Sequence, residues 1–379
     1  MRIGLNALYM IPGGVGGTER YARKLIENLA RVAPSHDVIV FSNREAADTW
    51  GTLPTNVEVR ACSVDARSRP QRIAYEQVRL PLLARSAKLD VLHSLGYTAP
   101  LAGSRIARCP SVVTLHDLNY HFHPEDWERM GLAANRLLIP RVARAVTRVL
   151  TISHASEHAI HEVLGIPSAD IDVVYHGVDG NLVALTAAEQ AQHLASLELT
   201  PGYFLSVTAS HPHQNLATLF AAYDRVCQRW PDAPPLVVVG IPGRDHERVK
   251  AEAASRRVIL TGWVDDAVLS ALYRGAGAFV FTSRYEGFGF PVLEAMSVGV
   301  PVISSNAASL AELIEGAATS VSPNDADGFA TGMLEAVRSQ AMRHALIDRG
   351  KARAAAFTWA KCARETLEVY ERAIATWRS

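Results

Sequence analysis

Two glutamates, Glu286 and Glu294, stand with seven residues between them in the string Ser283-Arg284-Tyr285-Glu286-Gly287-Phe288-Gly289-Phe290-Pro291-Val292-Leu293-Glu294-Ala295. Gly287 and Gly289 make a loop whose bare amides can approach a pyrophosphate. Pro291 suits the first turn of a helix, which puts Glu294 just inside that helix. Glu286 can then meet one end of a ligand while Glu294 accepts hydrogen bonds from vicinal hydroxyls at the other. An arbitrary pair of this kind reads as a turn with one solvated and one dipole-facing glutamate. The whole string favours a ligand.

Three other stretches are placed for similar work. Pro12-Gly13-Gly14-Val15-Gly16-Gly17-Thr18-Glu19 lies between a first strand and a long helix. It reads equally as an anion-binding loop and as a turn that needs positive φ, and it is not a clean dinucleotide fingerprint. Thr114-Leu115-His116-Asp117 ends a buried strand. There a histidine can meet a sugar hydroxyl or a phosphate, or simply bond local backbone. The spacing of His116, His121 and His123 is no standard zinc pattern, so no metal is expected. Ser206 to Asn215 (SVTASHPHQN) joins a strand to a helix, as a phosphate-contacting turn does, though a polar turn with Asn215 as helix cap fits as well.

The elements that must hold these residues follow from hydrophobic pattern. Continuous, β-branched runs recur at Val38–Phe41, Val91–His93, Val112–Leu115, Val149–Ile152, Asp172–Tyr175, Tyr203–Val207, Leu236–Val239, Val258–Leu260, Ala278–Phe281 and Val300–Ile303. Such runs suit strands buried on both faces of a parallel sheet. Helical patterns such as Glu19–Ala33, Leu216–Arg229 and Pro291–Val298 alternate with them, which indicates α/β architecture. No confident strand appears between Gly177 and Pro201, so the expected division is a Rossmann-like domain over 1–180, a linker over 181–200, a second Rossmann-like domain over 201–356 and a final helix over 357–379. That helix carries Ala363, Leu367, Tyr370 and Ile374 on one face.

Composition bounds the rest. The chain has 379 residues, 49% of them hydrophobic and 20% charged, with formal net charge zero. That is the make-up of a two-domain globular enzyme, and it lends no support to nucleic-acid binding. The four cysteines, Cys62, Cys109, Cys227 and Cys362, form no CxxC pair and read as reduced thiols of a cytoplasmic protein. The start of the chain reads as a strand rather than a signal peptide, and no apolar run is long enough to span a bilayer. Between Ala66 and Leu150 thirteen basic residues face six acidic ones. These are solvated helix faces or a surface for anionic membrane.

The string EGFGFPVLEAMSVGVPVISSNAASLAEL resembles the signature of glycosyltransferase family 4, and other segments follow in that family's order. GGVGGTERYARKLIENLA is similar to its glycine loop and helix, VVTLHDLNYHFHPEDW to its His-Asp segment, LSVTASHPHQNL to its phosphate-binding turn, and FTWAKCARETLEVYERA to its terminal helix. VLTISHASEHAI and VVYHGVD are similar to the elements that close its first domain.

The resemblance implies a GT-B fold: two Rossmann-like domains facing across a cleft, with the C-terminal helix crossing back to the first. It implies a retaining, metal-independent transfer of a hexose from a nucleotide-diphosphate sugar. His116 and Glu286 would be catalytic. Gly14, Gly16, Gly17, Thr208, Gln214, Val264, Gly287, Phe288, Gly289, Phe290, Leu293 and Glu294 would bind the donor, Glu294 through the ribose. No cofactor is implied beyond a GDP- or UDP-linked donor. The acceptor would be a glycan or lipid-linked glycan, and the most similar members are mannosyltransferases of bacterial surface polysaccharide. A place at the inner membrane face would follow.

One departure is clear. The family's turn usually carries Lys before Asn and often an Arg earlier, whereas this chain has Gln214 and no arginine in Val207–Ser210. The diphosphate's charge would then fall to His211, His213, Arg244 or Arg284. The same loss fits a catalytically weak or inactive nucleotide-sugar-binding paralogue acting with a partner transferase. A dinucleotide-dependent oxidoreductase, lacking its fingerprint, ranks last.

Overall fold

A computed structural model describes residues 1–14, 16–240 and 243–378. It divides into two compact units. The first holds residues 1–122, 128–177 and 358–379, and the second holds 178–357 together with His123–Trp127.

The sheet of the first unit is built from β1 (Arg2–Ala7), β2 (Asp37–Ser42), β3 (Val57–Ala61), β4 (Val91–Ser94), β5 (Ser111–Thr114), β6 (Arg148–Thr151) and β7 (Ile171–Val173). All pairings are parallel, in the order β3-β2-β1-β4-β5-β6-β7. The sheet of the second unit comprises β8 (Phe204–Val207), β9 (Leu236–Val239), β10 (Val258–Gly262), β11 (Ala278–Phe281), β12 (Val302–Ser305) and β13 (Thr319–Val321), also parallel, in the order β10-β9-β8-β11-β12-β13. The inner strands are apolar because helices cover both faces. Each sheet reverses direction once, between β1 and β4 in the first and between β8 and β11 in the second. In doubly wound sheets, ligands bind beyond the carboxyl ends of the strands at such a point.

β3 (VEVRA) and β13 (TSV) escape the hydrophobic pattern because polar residues break their apolar runs. β3 is part exposed along its length, and β13 is three residues long.

Residues 181–200, read as a linker, are ordered in part. They contain the helix Ala187–Ser196, opened by a capping box in which Thr186 Oγ1 accepts from the Glu189 amide and Glu189 Oε2 accepts from the Thr186 amide. The Thr186-x-x-Glu189 signal was present in the chain. The first unit closes at Gly177, upstream of this helix.

The C-terminal helix, Trp359–Arg378, packs in the first unit against the helix Gly17–Val32. Its buried stripe is Cys362, Ala363, Thr366, Val369, Tyr370 and Ala373, so Leu367 and Ile374 lie at the margin of the expected face. Tyr370 OH meets His93 Nδ1 at 2.7 Å, Trp359 stacks on His176, and Arg372 Nε donates to Asp172 Oδ1 at 3.1 Å. Burial depresses the pKa of His93 to about 3, with neighbouring His116 adding to the effect.

Candidate functional site

The loops that leave β8 and β11 flank the reversal of the second sheet, and several of their residues are joined by hydrogen bonds. Asn215 takes a left-handed φ of 58° and opens the helix Leu216–Arg229 without capping it. Its amide nitrogen instead donates to the carbonyls of Thr282 (3.1 Å) and Pro323 (2.6 Å). Thr282 Oγ1 donates back to Asn215 O, and Ser283 Oγ to His213 O. The expected cap is thus a cross-brace between the two loops.

Gln214 lies at the centre of that brace. Its side-chain nitrogen donates to Glu286 Oε1 at 2.9 Å and to His213 Nε2 at 2.8 Å, while its oxygen accepts from Thr208 Oγ1. A carboxamide nitrogen can only donate, so His213 Nε2 is an acceptor and its Nδ1 carries the hydrogen. That hydrogen is given to Asp126 Oδ2 at 2.5 Å. Asp126, Gln214, His213 and Glu286 form one chain of contacts.

The helix Phe290–Ser297 begins at Gly289, whose φ of 125° no L side chain readily adopts. A Cβ there would also meet Leu310 Cδ2 at 2.7 Å, a side-chain end that can shift, so the backbone conformation is what requires glycine. Ser309 Oγ donates to the carbonyls of Glu286 and Phe288, which fixes the loop's inner edge. Gly287 and Phe288 are buried in that loop, and Phe288 meets Phe290 edge-on with ring centroids 5.2 Å apart. Leu293 is fully buried on the inner face of the helix. Glu294 is buried as well, and its oxygens accept from Tyr273 OH (3.0 Å) and Asn181 Nδ2 (3.2 Å). These two bonds orient the carboxylate. Val264 lies two residues past the edge strand β10 and next to Trp263, which is 72% exposed.

The remaining predicted residues lie in the first unit. Gly16, with φ 55° and ψ −127°, stands immediately before the helix Gly17–Val32. Gly14 donates its amide to Ile11 O, and Glu19 folds back so that its carboxylate accepts from the Gly13 amide at 2.8 Å and from Arg23 Nε at 2.9 Å. Val15 lies outside the described residues. His116, just past the end of β5, is buried; its Nε2 meets Leu95 O at 3.1 Å. Its ring meets Tyr21 edge-on, with Tyr97 and His176 beside it. Burial holds its pKa below the usual histidine range, partly offset by the Leu95 contact and by Asp117. At neutral pH it is a neutral hydrogen-bonding group.

With the architecture and loops in place, the likenesses are informative. A model described as Glycosyltransferase Family 4 matches residues 15–181, and one described as Glycosyl transferases group 1 matches residues 172–353. The chain belongs to glycosyltransferase family 4. It is a glycosyltransferase of the GT-B type. It is 28% identical over 374 residues to the O-antigen chain mannosyltransferase B of Escherichia coli, covering 94% of this chain and 96% of that protein. Among solved structures it is similar to the sucrose-phosphate synthase of Thermosynechococcus elongatus (TM-score 0.77, 19% identity, 99% of both chains). It is also similar to Anabaena HepE in complex with UDP and glucose (TM-score 0.75, 19% identity, 98% of this chain and 100% of that one).

In this family 4 transferase the four expected replacements for the missing lysine are not equivalent. Arg284 is exposed and its Nε donates to Asn324 Oδ1, while Arg244 is exposed and donates to the Glu125 carbonyl. His211 stacks on His213 with ring centroids 5.9 Å apart. His213 alone of the four is joined to both Asp126 and the Gln214–Glu286 contact. Asp126 was not singled out in the sequence, because it stands 87 residues away with no pattern linking it to His213. Burial pushes the pKa of His213 down, Asp126 pulls it back up, and His123 and His211 push it down again.

Proposed function

We propose that the transferase moves a hexosyl group, mannose by preference, from a nucleotide-diphosphate sugar to a glycan or lipid-linked glycan acceptor, with retention and without a bound metal or other cofactor. The observation that carries this reading is the Gln214–Glu286 hydrogen bond at the reversal of the second sheet, with the Gly289-opened helix beside it. Such a constellation suits a donor whose diphosphate faces amides and whose sugar faces Glu286. The full-length similarity to a protein named as a mannosyltransferase supports the choice of sugar.

The chemistry needs an oxocarbenium-like centre to develop as the nucleoside diphosphate departs. Loop amides and the first turn of the helix Phe290–Ser297 stabilise the leaving oxygens. Glu286, held by Gln214, accepts hydroxyls of the transferred sugar and sets its position. It serves as a positioning group rather than a covalent nucleophile, so attack comes from the face the diphosphate leaves. The decisive experiment incubates the purified chain with GDP-mannose, UDP-glucose, UDP-galactose and dTDP-glucose and a mannoside acceptor, with and without EDTA. NMR of the product then assigns the anomer. Product of inverted configuration, or activity abolished by EDTA, overturns the corresponding part of the reading.

His213 supplies the charge that lysine would have brought. Free, it is neutral near pH 7. An incoming diphosphate favours its imidazolium, with Asp126 on one side and the phosphate on the other, while His123 and His211 oppose it. Binding therefore takes up a proton. Affinity for GDP or UDP is expected to rise as pH falls from about 8 to about 6, by up to about tenfold per unit. His213→Asn should flatten that slope. Calorimetry in two buffers of different ionisation enthalpy measures the uptake, and a pH-independent affinity for the unmodified protein rules the role out.

Association with an anionic membrane face belongs to the same reading, with a correction to its residues. Of the thirteen basic residues, Arg69 and Arg72 are part buried, whereas Arg79 is exposed. The helix Arg69–Ser86 instead exposes Val78 (62%) and Leu82 (49%) beside Arg79 and Arg85. The helix Arg129–Ala145 likewise shows Met130 and Leu137 near Arg136 and Arg141. Exposed apolar side chains ringed by arginine suit shallow, reversible binding at about 1 kcal/mol per basic group. Among the described residues no helix is long and apolar enough to cross a bilayer. Co-sedimentation with phosphatidylglycerol vesicles at low salt is expected to be lost in Arg79→Glu/Arg85→Glu; sedimentation unchanged by the double reversal contradicts the surface.

A further inference from the structure

The reversal of the first sheet, between β1 and β4, holds a second cluster of polar side chains. Glu76, on the helix Arg69–Ser86, reaches the carboxyl ends of those two strands and is 1% exposed. Its Oε2 accepts from Asn6 Nδ2 (3.2 Å) and Thr98 Oγ1 (3.0 Å), and Asn6 Nδ2 also donates to Ser94 Oγ (3.0 Å). Its Oε1 is shielded from solvent and has no hydrogen-bond partner. One turn earlier on the same face stands Arg72, one further turn back Arg69. The Nε of each is buried and unpartnered. Arg69 Nη2 is held by Asn135 Oδ1 at 2.5 Å. Arg72 lies near Tyr9, Glu76 and Arg69, and its guanidinium makes no hydrogen bond among the described residues.

This is a costly arrangement for an empty surface. The charge of Arg69 opposes that of Arg72, Glu76 is the carboxylate that offsets it, and burial lowers the pKa of both arginines. Three buried polar atoms lack partners, where folded proteins satisfy nearly all of theirs. The unmet inventory is specific: donors in two planar forks, which suit an oxyanion, and one carboxylate oxygen, which suits a hydroxyl. It lies at the switch point where a doubly wound sheet takes its ligand.

We infer that Arg72 and Arg69, with Glu76, form an acceptor subsite for an acidic sugar, the guanidiniums taking its phosphate or carboxylate and Glu76 Oε1 a neighbouring hydroxyl. The inference rests on the transferase reading above and adds the acceptor's charge to it. A neutral mannoside leaves the arginines unmet; a sugar phosphate or a uronic acid satisfies them.

Three probes test it by saturation-transfer NMR and calorimetry on the full chain: mannose 6-phosphate, methyl α-glucuronide and methyl α-mannoside. The phosphate or the carboxylate probe, or both, should bind at least about tenfold more tightly than the neutral mannoside, the better of the two identifying the acid. Arg72→Met should remove that advantage. Glu76→Gln should weaken the sugar acids and leave inorganic phosphate unaffected. Where Arg72→Met melts early, Arg72→Lys is read instead: it keeps the charge, loses the fork and should bind the acid several-fold more weakly. Equal binding of acidic and neutral probes, or an acid preference intact in both Arg72 variants, overturns the subsite. GDP and UDP affinities of the same samples are measured in parallel. Their absence from the unmodified protein would count against the transferase reading, whereas their presence with no acid preference would count against this subsite alone.

Discussion

Glu286→Gln is expected to lower turnover by about 10²- to 10³-fold while free GDP or UDP binds within about threefold of the unmodified protein. The reason is positional. The carboxylate is held at 2.9 Å by the Gln214 amide, and in the proposed reading it accepts hydroxyls of the transferred sugar. A glutamine side chain keeps the volume but presents one NH₂ where an acceptor is needed, and it meets the Gln214 donor with a donor in one of its two orientations. In the proposed reading, nucleotide without its sugar does not reach that group. Steady-state transfer rates together with calorimetry of the free nucleotide separate the two effects. If nucleotide affinity fell in parallel with turnover, Glu286 would belong to the nucleotide rather than to the sugar.

Glu294→Gln is expected to do the opposite, weakening GDP and UDP by about 10- to 100-fold, the range for hydrogen bonds that involve a charged partner. Turnover at saturating donor should change little. Glu294 is almost wholly buried and oriented by Tyr273 OH and Asn181 Nδ2, and in the proposed reading the carboxylate so held accepts the ribose hydroxyls. The control is a 2′,3′-dideoxy nucleotide, which the substitution should leave unaffected. An equal loss for ribo- and dideoxynucleotide would mean that the variant disturbs packing around Tyr273 and not a ribose contact. Tyr273→Phe, which frees Glu294 Oε2, gives a second and milder reading of the same site.

The order of these two effects reflects how the residues are fixed. Glu294 stands in the first turns of a helix whose start is compelled by Gly289 and Pro291, so its place could be read from neighbours in the chain. Glu286 sits on a loop and depends on Gln214, 72 residues distant, and on Ser309, which clamps its carbonyl. Gln214 stands out in the chain as the absence of a lysine. In the fold it is the amide that joins Thr208, His213 and Glu286. The basic stretch between Ala66 and Leu150 presents fewer charges than its count for a related reason. Arg69 and Arg72 counted as charges in the sequence, but the helix that carries them turns them inward toward Glu76 and Asn135.

Local pattern in the chain was sufficient for the α/β architecture, most inner strands, the glycine loops and the Glu286–Glu294 string. These depend on contacts within a few residues: β-branched runs, a proline at a helix start, glycines where φ must be positive. Edge strands β3 and β13 were illegible because half-exposed or very short strands carry little hydrophobic signal, and the helix Ala187–Ser196 was passed over although its capping box was there to be read. The pairing of Asp126 with His213, the turning of Asn215 from cap to brace and the gathering of Arg69, Arg72 and Glu76 over Asn6 and Ser94 were decided only in three dimensions. Each joins side chains of ordinary local propensity across long stretches of chain, where the energy lies in a hydrogen bond or buried charge that exists only after two sheets have set the distances.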